Sequence, residues 1–242
     1  MDALELVMLQ ASAWGLRLDP GRLASLEGFA RSLSDYEKAN VIGTRAVRAI
    51  VLDHVLDSLS CFLFEALDVA KRLADVGSGG GLPGIPIKIA APQTQVTLVE
   101  SIAKKARFLQ RAVDELSLQD AVVLDARVED VSRTEAHRGA YDVATARAVA
   151  RLSVVAEYCV PLLRVGGHAI SMKGRLEDEE LSEGERAAER LGARVTTLIQ
   201  VPRLPEIGNK ERRLVILEKV EATPWEYPRN VGVPAKKPLG VV

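Results

Sequence analysis

The chain has 242 residues, of which 48% are hydrophobic and only 4% aromatic, so it can bury an aliphatic core in one large domain or two small ones. Its net charge of −1 excludes a protein that is basic throughout, and any binding of nucleic acid has to come from a local basic patch. No apolar run is long enough for a membrane span, the N-terminus is unlike a signal peptide, and two cysteines cannot form a disulfide framework, so we expect a soluble protein of the reducing cytoplasm.

Residues 1–68 are predicted to form an N-terminal helical extension, because no strand pattern interrupts them. Apolar residues recur at three- and four-residue spacing from Arg22 to Tyr36, and Asp19-Pro20-Gly21 before them is typical of a helix start. A second helix is predicted over roughly Ala46 to Ala66.

Strand and helix patterns alternate after this extension. Strands are predicted at Arg72–Gly77, Gln95–Glu100, Ala121–Asp125, Tyr141–Ala146, His168–Met172, Val195–Val201 and Arg213–Val220, with helices at Ile85–Ala90, Lys104–Leu116, Leu152–Leu163 and Glu177–Leu191. The alternation indicates an α/β fold with a mostly parallel sheet covered on both faces, and the last two strands should pair as an antiparallel hairpin.

This order of elements resembles the Rossmann-like, seven-stranded fold of class I methyltransferases that use S-adenosylmethionine (AdoMet). We assign residues 69–222 to that domain. Residues 223–242 are rich in proline and lysine and have no periodicity, so we take them as a basic C-terminal tail.

A glycine-rich loop follows the first strand, with the sequence Asp75-Val76-Gly77-Ser78-Gly79-Gly80-Gly81. Glycines between a strand and a helix are typical of a nucleotide-binding loop, and Gly79-x-Gly81-x-x-Gly84 also satisfies the dinucleotide pattern, which leaves NAD as an alternative. That pattern starts two residues late, however, and Pro83 and Pro86 occupy the helix start that a pyrophosphate needs. The carboxylate of Asp75 suits the cationic end of AdoMet, so we predict that Asp75, Gly77, Gly79 and Gly81 bind AdoMet.

The other polar residues do not distinguish AdoMet from NAD or indicate a different kind of site. Glu100 ends the next strand, where a carboxylate can accept both hydroxyls of a ribose, in AdoMet or in NAD. His54 and Asp57 lie within one helical turn, which does not suit a hydrolase triad, and we predict a structural role for them. The three histidines and two cysteines have no zinc spacing, so no metal is predicted.

The run from Asp75 to Pro86, and above all Leu82-Pro83-Gly84-Ile85-Pro86, resembles the motif of the RsmG (GidB) family of bacterial 16S ribosomal RNA methyltransferases. Further resemblances cover nearly the whole chain, at Asn40-Val41-Ile42-Gly43 (which departs from the family's Asn-Leu-Thr), His54 to Leu59, Lys104 to Leu109, Arg127 to Asp130, Ala146-Arg147-Ala148, Lys173-Gly174, Arg213-Leu214-Val215 and Tyr227 to Leu239.

The resemblance implies that a methyl group is transferred from AdoMet to N7 of one guanine in the decoding-region loop of 16S rRNA. It places Gly77 and Leu82 at the cofactor, Val128 and Glu129 beside the adenine, and Arg147 at the mouth of the cofactor pocket, near the transfer, as a catalytic positioning residue. Guanine N7 carries a lone pair and no proton, so positioning and charge placement suffice and no general base is needed.

Binding of RNA requires cations, and we predict that Arg147, Lys173, Arg229, Lys236 and Lys237 contact it. The expected partner is 16S rRNA or the small ribosomal subunit, with no membrane and no obligatory protein partner. Removal of the residues after Thr223 is expected to weaken RNA binding and to spare AdoMet binding. The alternatives are a small-molecule methyltransferase, an NAD-dependent oxidoreductase, and a protein of this fold without activity.

Overall fold

The computed structural model describes residues 2–36, 42–203 and 210–241, so Asn40 and Val41 of the Asn-Val-Ile-Gly segment lie outside the described residues. Two helices come first, α1 (Ala3–Ala13) and α2 (Pro20–Asp35). Each begins after an aspartate, Asp2 or Asp19, whose carboxylate accepts a backbone N–H group of the first turn.

The helix predicted over residues 46–66 is present but irregular. It consists of α3 (Val47–Ile50), a π-helical segment (Val51–Val55) and α4 (Leu56–Leu59), followed by two 3₁₀ turns at Ser60–Leu63 and Glu65–Leu67. In the π-helical segment the N–H of Leu56 donates to the carbonyl of Val51, one residue further back than in an α-helix. Such segments are frequent at functional sites, and this one carries His54.

A seven-stranded sheet forms the centre of the molecule. Its strands are β1 (Arg72–Val76), β2 (Gln95–Glu100), β3 (Ala121–Asp125), β4 (Tyr141–Arg147), β5 (Leu163–Lys173), β6 (Ala193–Gln200) and β7 (Arg213–Lys219). The order is β3-β2-β1-β4-β5-β7-β6. Strands β1 to β5 are parallel, and β7 is antiparallel to both of its neighbours, β5 and β6, which confirms the predicted fold.

The helices of this domain are α5 (Gly84–Ala90), α6 (Ala103–Glu115), α7 (Val128–Val131), α8 (Leu152–Cys159), α9 (Asp178–Arg190) and α10 (Val233–Lys236). The prediction was wrong at the junction of α8 and β5, where the chain passes through a 3₁₀ turn and the strand begins at Leu163 instead of His168. Leu163 already pairs with Tyr141 of β4, so backbone pairing sets the start of the strand. Helices α7 and α10 are too short to give a periodic signal.

The two faces of the sheet bury separate apolar clusters. Phe29 and Leu56 of the N-terminal helices pack in one cluster with Leu73 and Leu98 of the sheet, so the helical extension covers that face. Helices α7 to α9 supply the other cluster. Within the described ranges, no helix has the length and apolarity that crossing a membrane requires.

The segment predicted as a basic tail packs against the second face, and we call residues 223–241 the C-terminal strap. Arg138 donates to the carbonyls of Thr223 and Tyr227. At the far end Leu239 is buried in the second cluster, and Arg186 donates to the carbonyl of Gly240. The strap therefore has a defined path over helices α7 to α9.

Candidate functional site

Three adjoining cavities lie at the carboxyl ends of the parallel strands, where ligands of open α/β sheets bind. The Val128 cavity, about 220 Å³, is lined by Gly77, Val99, Ser101, Val128, Glu129, Tyr158 and Ala235, among others. The glycine-loop cavity, about 250 Å³, is lined by residues that include Gly77, Gly79, Leu82, Lys105 and Arg147. The arginine cavity, about 340 Å³, is lined by residues that include Asp53, His54, Asp57, Arg147, Lys173 and Arg212.

Gly77 lies where the glycine loop borders both the Val128 cavity and the glycine-loop cavity. Its N–H and that of Ser78 donate to the carbonyl of Val99, so the loop is fixed to β2. Gly77 has φ +67°, and a Cβ there would lie 2.9 Å from Cγ2 of Val149. Both the backbone conformation and the space exclude a side chain at this position.

Asp75 does not line any of the three cavities, so the prediction that its carboxylate meets the cationic end of the ligand gains no support from this geometry. The residue is fully buried, and it accepts hydrogen bonds from the N–H of Gly84 (3.1 Å) and the hydroxyl of Thr145 (2.9 Å). Burial raises the pKa of Asp75 to about 6, although these hydrogen bonds oppose that shift. Asp75 therefore fixes the glycine loop between α5 and β4.

Glu100 and Gly81 also support the loop from within the protein. The two carboxylate oxygens of Glu100 accept the N–H groups of Gly79 (2.9 Å) and Ile102 (2.7 Å), and the residue is buried. Gly81 packs against Ile85. Because neither Glu100 nor Gly81 lines one of these three cavities, the predicted contact of Glu100 with a ribose gains no support from this geometry.

The predicted residues Val128 and Glu129 lie together with Gly77 in the Val128 cavity. The carboxylate of Glu129 accepts the N–H of Gly232 from the strap at 2.9 Å. Burial, and next the charge of Glu129, raise the pKa of Tyr158 to about 12. Sequence reasoning missed Ser101, Tyr158 and Ala235 at this cavity, because no motif or spacing connects them with the glycine loop.

Arg147 is held in place between the glycine-loop cavity and the arginine cavity. Its Nε lies 3.2 Å from a carboxylate oxygen of Asp57, and its Nη2 lies 2.6 Å from Nδ1 of His54. Burial, and next the charge of Arg147, lower the pKa of His54 to about 4, so the ring is neutral at pH 7 and accepts this hydrogen bond. Ala148, which follows, has φ +52°, a conformation that is uncommon outside glycine.

A second set of ion pairs connects the irregular helix that carries Asp53 and Asp57 with the residues just before β7. Arg212 lies 2.9 Å from the other carboxylate oxygen of Asp57, and Lys210 lies 2.8 Å from Asp53. The predicted structural role of His54 and Asp57 agrees with these contacts. Arg212 was not recognised as the partner of Asp57, because such a long-range pairing leaves no signal in the sequence.

Three of the five cations predicted to bind RNA are already paired, since Arg147 contacts Asp57 and Lys173 and Arg229 contact other acids. Lys173 is 13% exposed and donates to Glu180 (2.7 Å) and to the carbonyl of Ala150 (2.6 Å). Arg229 is paired with Glu157, whose side chain is fully buried. Lys236 and Lys237 are exposed on the strap, as an RNA contact requires. Among residues 2–36, 42–203 and 210–241, no three His, Cys, Asp or Glu side chains converge on a possible metal site.

Solved structures of low identity share the fold. Geranyl diphosphate methyltransferase in complex with GPP and sinefungin aligns with a TM-score of 0.54 and 16% identity, over 81% of this chain and 100% of that chain. The C9 mutein of the branched-chain polyamine synthase from Thermus thermophilus aligns with a TM-score of 0.60 and 15% identity, over 84% of this chain and 65% of that chain. At these identities they establish the fold alone.

Sequence relatives identify the family. The chain is 57% identical over 239 residues to the ribosomal RNA small subunit methyltransferase G of Rubrobacter xylanophilus, covering 98% of this chain and 92% of that relative. It is 44% identical over 232 residues to the protein of the same name from Roseiflexus castenholzii, covering 95% and 97% respectively. Residues 22–212 match the family GidB, described as rRNA small subunit methyltransferase G. The chain therefore belongs to the GidB family, as its motifs predict.

Proposed function

We propose that the protein transfers the methyl group of AdoMet to N7 of a guanine in the decoding-region loop of 16S rRNA. Family membership supplies the enzyme class, the cofactor and the kind of RNA. The structural observation that carries the proposal is the common boundary of the three cavities. Gly77, Arg147 and Val149 each line two of them, so a cofactor at the glycine loop and a base in the arginine cavity would be neighbours.

The residues around the glycine loop fit AdoMet. Val99 and Val128 offer apolar walls to a purine, and Gly77 lets a ligand approach the backbone. Gly77, Leu82, Val128 and Glu129 are the cofactor-binding residues of this proposal. AdoMet supplies an electrophilic methyl group on its sulfonium.

The arginine cavity fits an anionic polymer. It is lined by five cationic side chains and three anionic ones, namely Arg147, Lys173, Lys210, Arg212 and Arg213 against Asp53, Asp57 and Glu211. This excess of positive charge favours a nucleic acid over a neutral small molecule.

Methylation of guanine N7 needs no general base, which agrees with the contacts that the acids and His54 make at the arginine cavity. N7 has no proton to lose, and Asp53 and Asp57 are already paired with cations, while Nδ1 of His54 already contacts Arg147. The chain therefore has to orient the base and exclude water, with no proton transfer. Arg147 orients it, because Asp57 and His54 hold the guanidinium in one place.

The proposal is tested by incubating the purified protein with methyl-labelled AdoMet and either naked 16S rRNA or small subunits from a strain that lacks the gene. Mass spectrometry of nuclease fragments should find one new N7-methylguanine, and the comparison of the two substrates shows which one is used. Methylation at another atom, or of neither RNA, would overturn the substrate proposal.

Arg147→Lys tests the role of Arg147 in the same assay. Lysine keeps the charge but cannot reach Asp57 and His54 together, so turnover should fall about 100-fold or more while AdoMet affinity stays within about threefold. Arg194→Ala is the matched control, because Arg194 pairs with Glu218 away from the three cavities. A near-normal turnover of Arg147→Lys would rule out this role.

A further inference from the structure

The C-terminal strap forms part of the wall of the Val128 cavity, and we propose that its Arg229 is a positioning residue for the cofactor instead of a cation that binds RNA. The inference rests on the proposed function, because it takes the Val128 cavity as part of the AdoMet site. It also assigns Arg229 of the basic C-terminal segment to the cofactor site, where the sequence predicted an RNA contact.

Arg229 fixes both ends of one short segment of the strap. Its Nη2 donates to Glu157 on α8 (2.7 Å) and to the carbonyl of Lys237 (2.8 Å). Its Nε and its backbone N–H donate to the same carboxylate at 3.0 and 2.7 Å. A single side chain thus closes residues 229–237 into a loop that is attached to α8.

The residues inside this loop contact the Val128 cavity. The N–H of Gly232 donates to the carboxylate of Glu129 at 2.9 Å, and Ala235 lines the cavity itself. Tyr158, the residue after Glu157 on α8, lines the same cavity, and burial and next the charge of Glu129 raise the pKa of its hydroxyl. Of two consecutive residues of α8, Glu157 therefore holds the strap and Tyr158 lines the cavity, so a shift of Arg229 would move the cavity wall.

The contacts of Arg229 argue against a primary role at phosphate groups. The side chain is 25% exposed, and Nε and Nη2 are both engaged. To turn Nε and Nη2 towards a phosphate, Arg229 would have to leave Glu157, whose side chain is 0% exposed, as an unpaired buried charge. Lys236 and Lys237 have no such constraint, since both are exposed on the same segment.

Two substitutions test the proposal from different directions. Arg229→Lys keeps the charge but cannot reproduce the two-pronged contact with Glu157 and the bond to Lys237, so the Kd for AdoMet should rise about tenfold or more. Ala235→Trp leaves the Arg229 contacts intact and fills the cavity from the strap side, with a similar rise of about tenfold. Lys236→Ala and Lys237→Ala are the matched controls and should leave this Kd within about twofold.

The measurements are AdoMet titration calorimetry, KM and kcat for AdoMet, thermal melting, and RNA affinity across a salt titration. For Arg229→Lys we expect a raised KM for AdoMet, a kcat near that of the wild type at saturating AdoMet, and an unchanged salt slope of RNA binding. An unchanged Kd for AdoMet together with a smaller salt slope would make Arg229 an RNA contact and overturn the proposal, and so would normal AdoMet binding by Ala235→Trp. A wild-type protein that binds AdoMet but methylates no 16S rRNA would defeat the proposed function alone.

Discussion

At the scale of single residues, His54 shows how burial sets the state of the site. The neutral ring can accept a hydrogen bond from Arg147, whereas a protonated ring would place a second cation against the guanidinium. The pKa of His54 is lowered from 6.5 to about 4, so the folded protein binds fewer protons than the unfolded chain between these values. Above pH 6.5 the ring is neutral in both states, and its titration does not lower the free energy of unfolding. As the pH falls from 6.5 towards 4, the unfolded chain takes up the proton first and the free energy of unfolding decreases.

An NMR titration can check this state, because the chain has only three histidines. We expect the ring signals of His54 to titrate with a midpoint near pH 4 in the folded protein. Arg147→Ala removes the second cause of the lowered pKa and should move the midpoint upwards. A wild-type midpoint near 6.5 would show that the ring is neither desolvated nor packed on Arg147.

At the scale of secondary-structure elements, the glycine loop depends on how closely α5 approaches the sheet. A Cβ at Gly84 would lie 2.4 Å from Leu98 on β2 and 2.7 Å from the carboxylate of Asp75 on β1. Gly84 also donates its N–H to that carboxylate, so the start of α5, the end of β1 and the loop between them form one rigid unit.

Gly84→Ala should therefore destabilise the protein by about 1–3 kcal/mol, the usual cost of overpacking a buried site. Gly43→Ala is the matched control, since a Cβ at Gly43 meets nothing within 4 Å. Urea unfolding of both variants measures the difference. Equal free energies of unfolding for the two would contradict the tight packing of α5 on the sheet.

At the scale of the whole molecule, a net charge of −1 means that RNA affinity has to come from a few exposed cations near the cavities. Lys104 lies in the first turn of α6, beside Lys105 of the glycine-loop cavity, and Lys236 lies on the strap, beside Ala235 of the Val128 cavity. Both are exposed. By contrast, Lys173 and Arg229 are engaged with acids of the protein and organise the site from within.

Replacing both exposed lysines, Lys104→Ala with Lys236→Ala, should reduce the dependence of log K on log salt by about 0.7–0.9 for each lost phosphate contact. Filter binding of a 16S rRNA fragment at several salt concentrations measures this slope. Arg194→Ala serves as the control and should leave it unchanged. If the double variant keeps the wild-type slope, the RNA does not approach along this edge of the sheet.

The structure also changes the expectation for removal of the residues after Thr223. From the sequence, such a truncation spares AdoMet binding. In the structure it would remove the Gly232 contact to Glu129, take Ala235 from the cavity and leave Glu157 without its partner. A combined loss of AdoMet binding and stability follows from these contacts, so single substitutions in the strap are more informative than truncation.

The fold was predictable because each of its signals is local. Alternating strand and helix patterns, and two final strands with no helix between them, specify a parallel sheet that ends in an antiparallel pair. Of the residues predicted for the site, those that a motif carries, Gly77, Leu82, Val128 and Glu129, lie at the cavities. The predicted roles of Asp75 and Glu100 rested on charge alone, and a sequence does not show that a carboxylate is turned towards backbone N–H groups inside the protein.

The sequence by itself determined the architecture, the family and the position of the glycine loop, since periodicity and contiguous motifs are properties of neighbouring residues. Tertiary structure decided which charges are available. The pairs Asp57 with Arg212 and Glu157 with Arg229 join distant parts of the chain, and burial makes each partner depend on the other. The physical reason is that a charge leaves water only with a partner in contact, and only the folded chain brings those partners together.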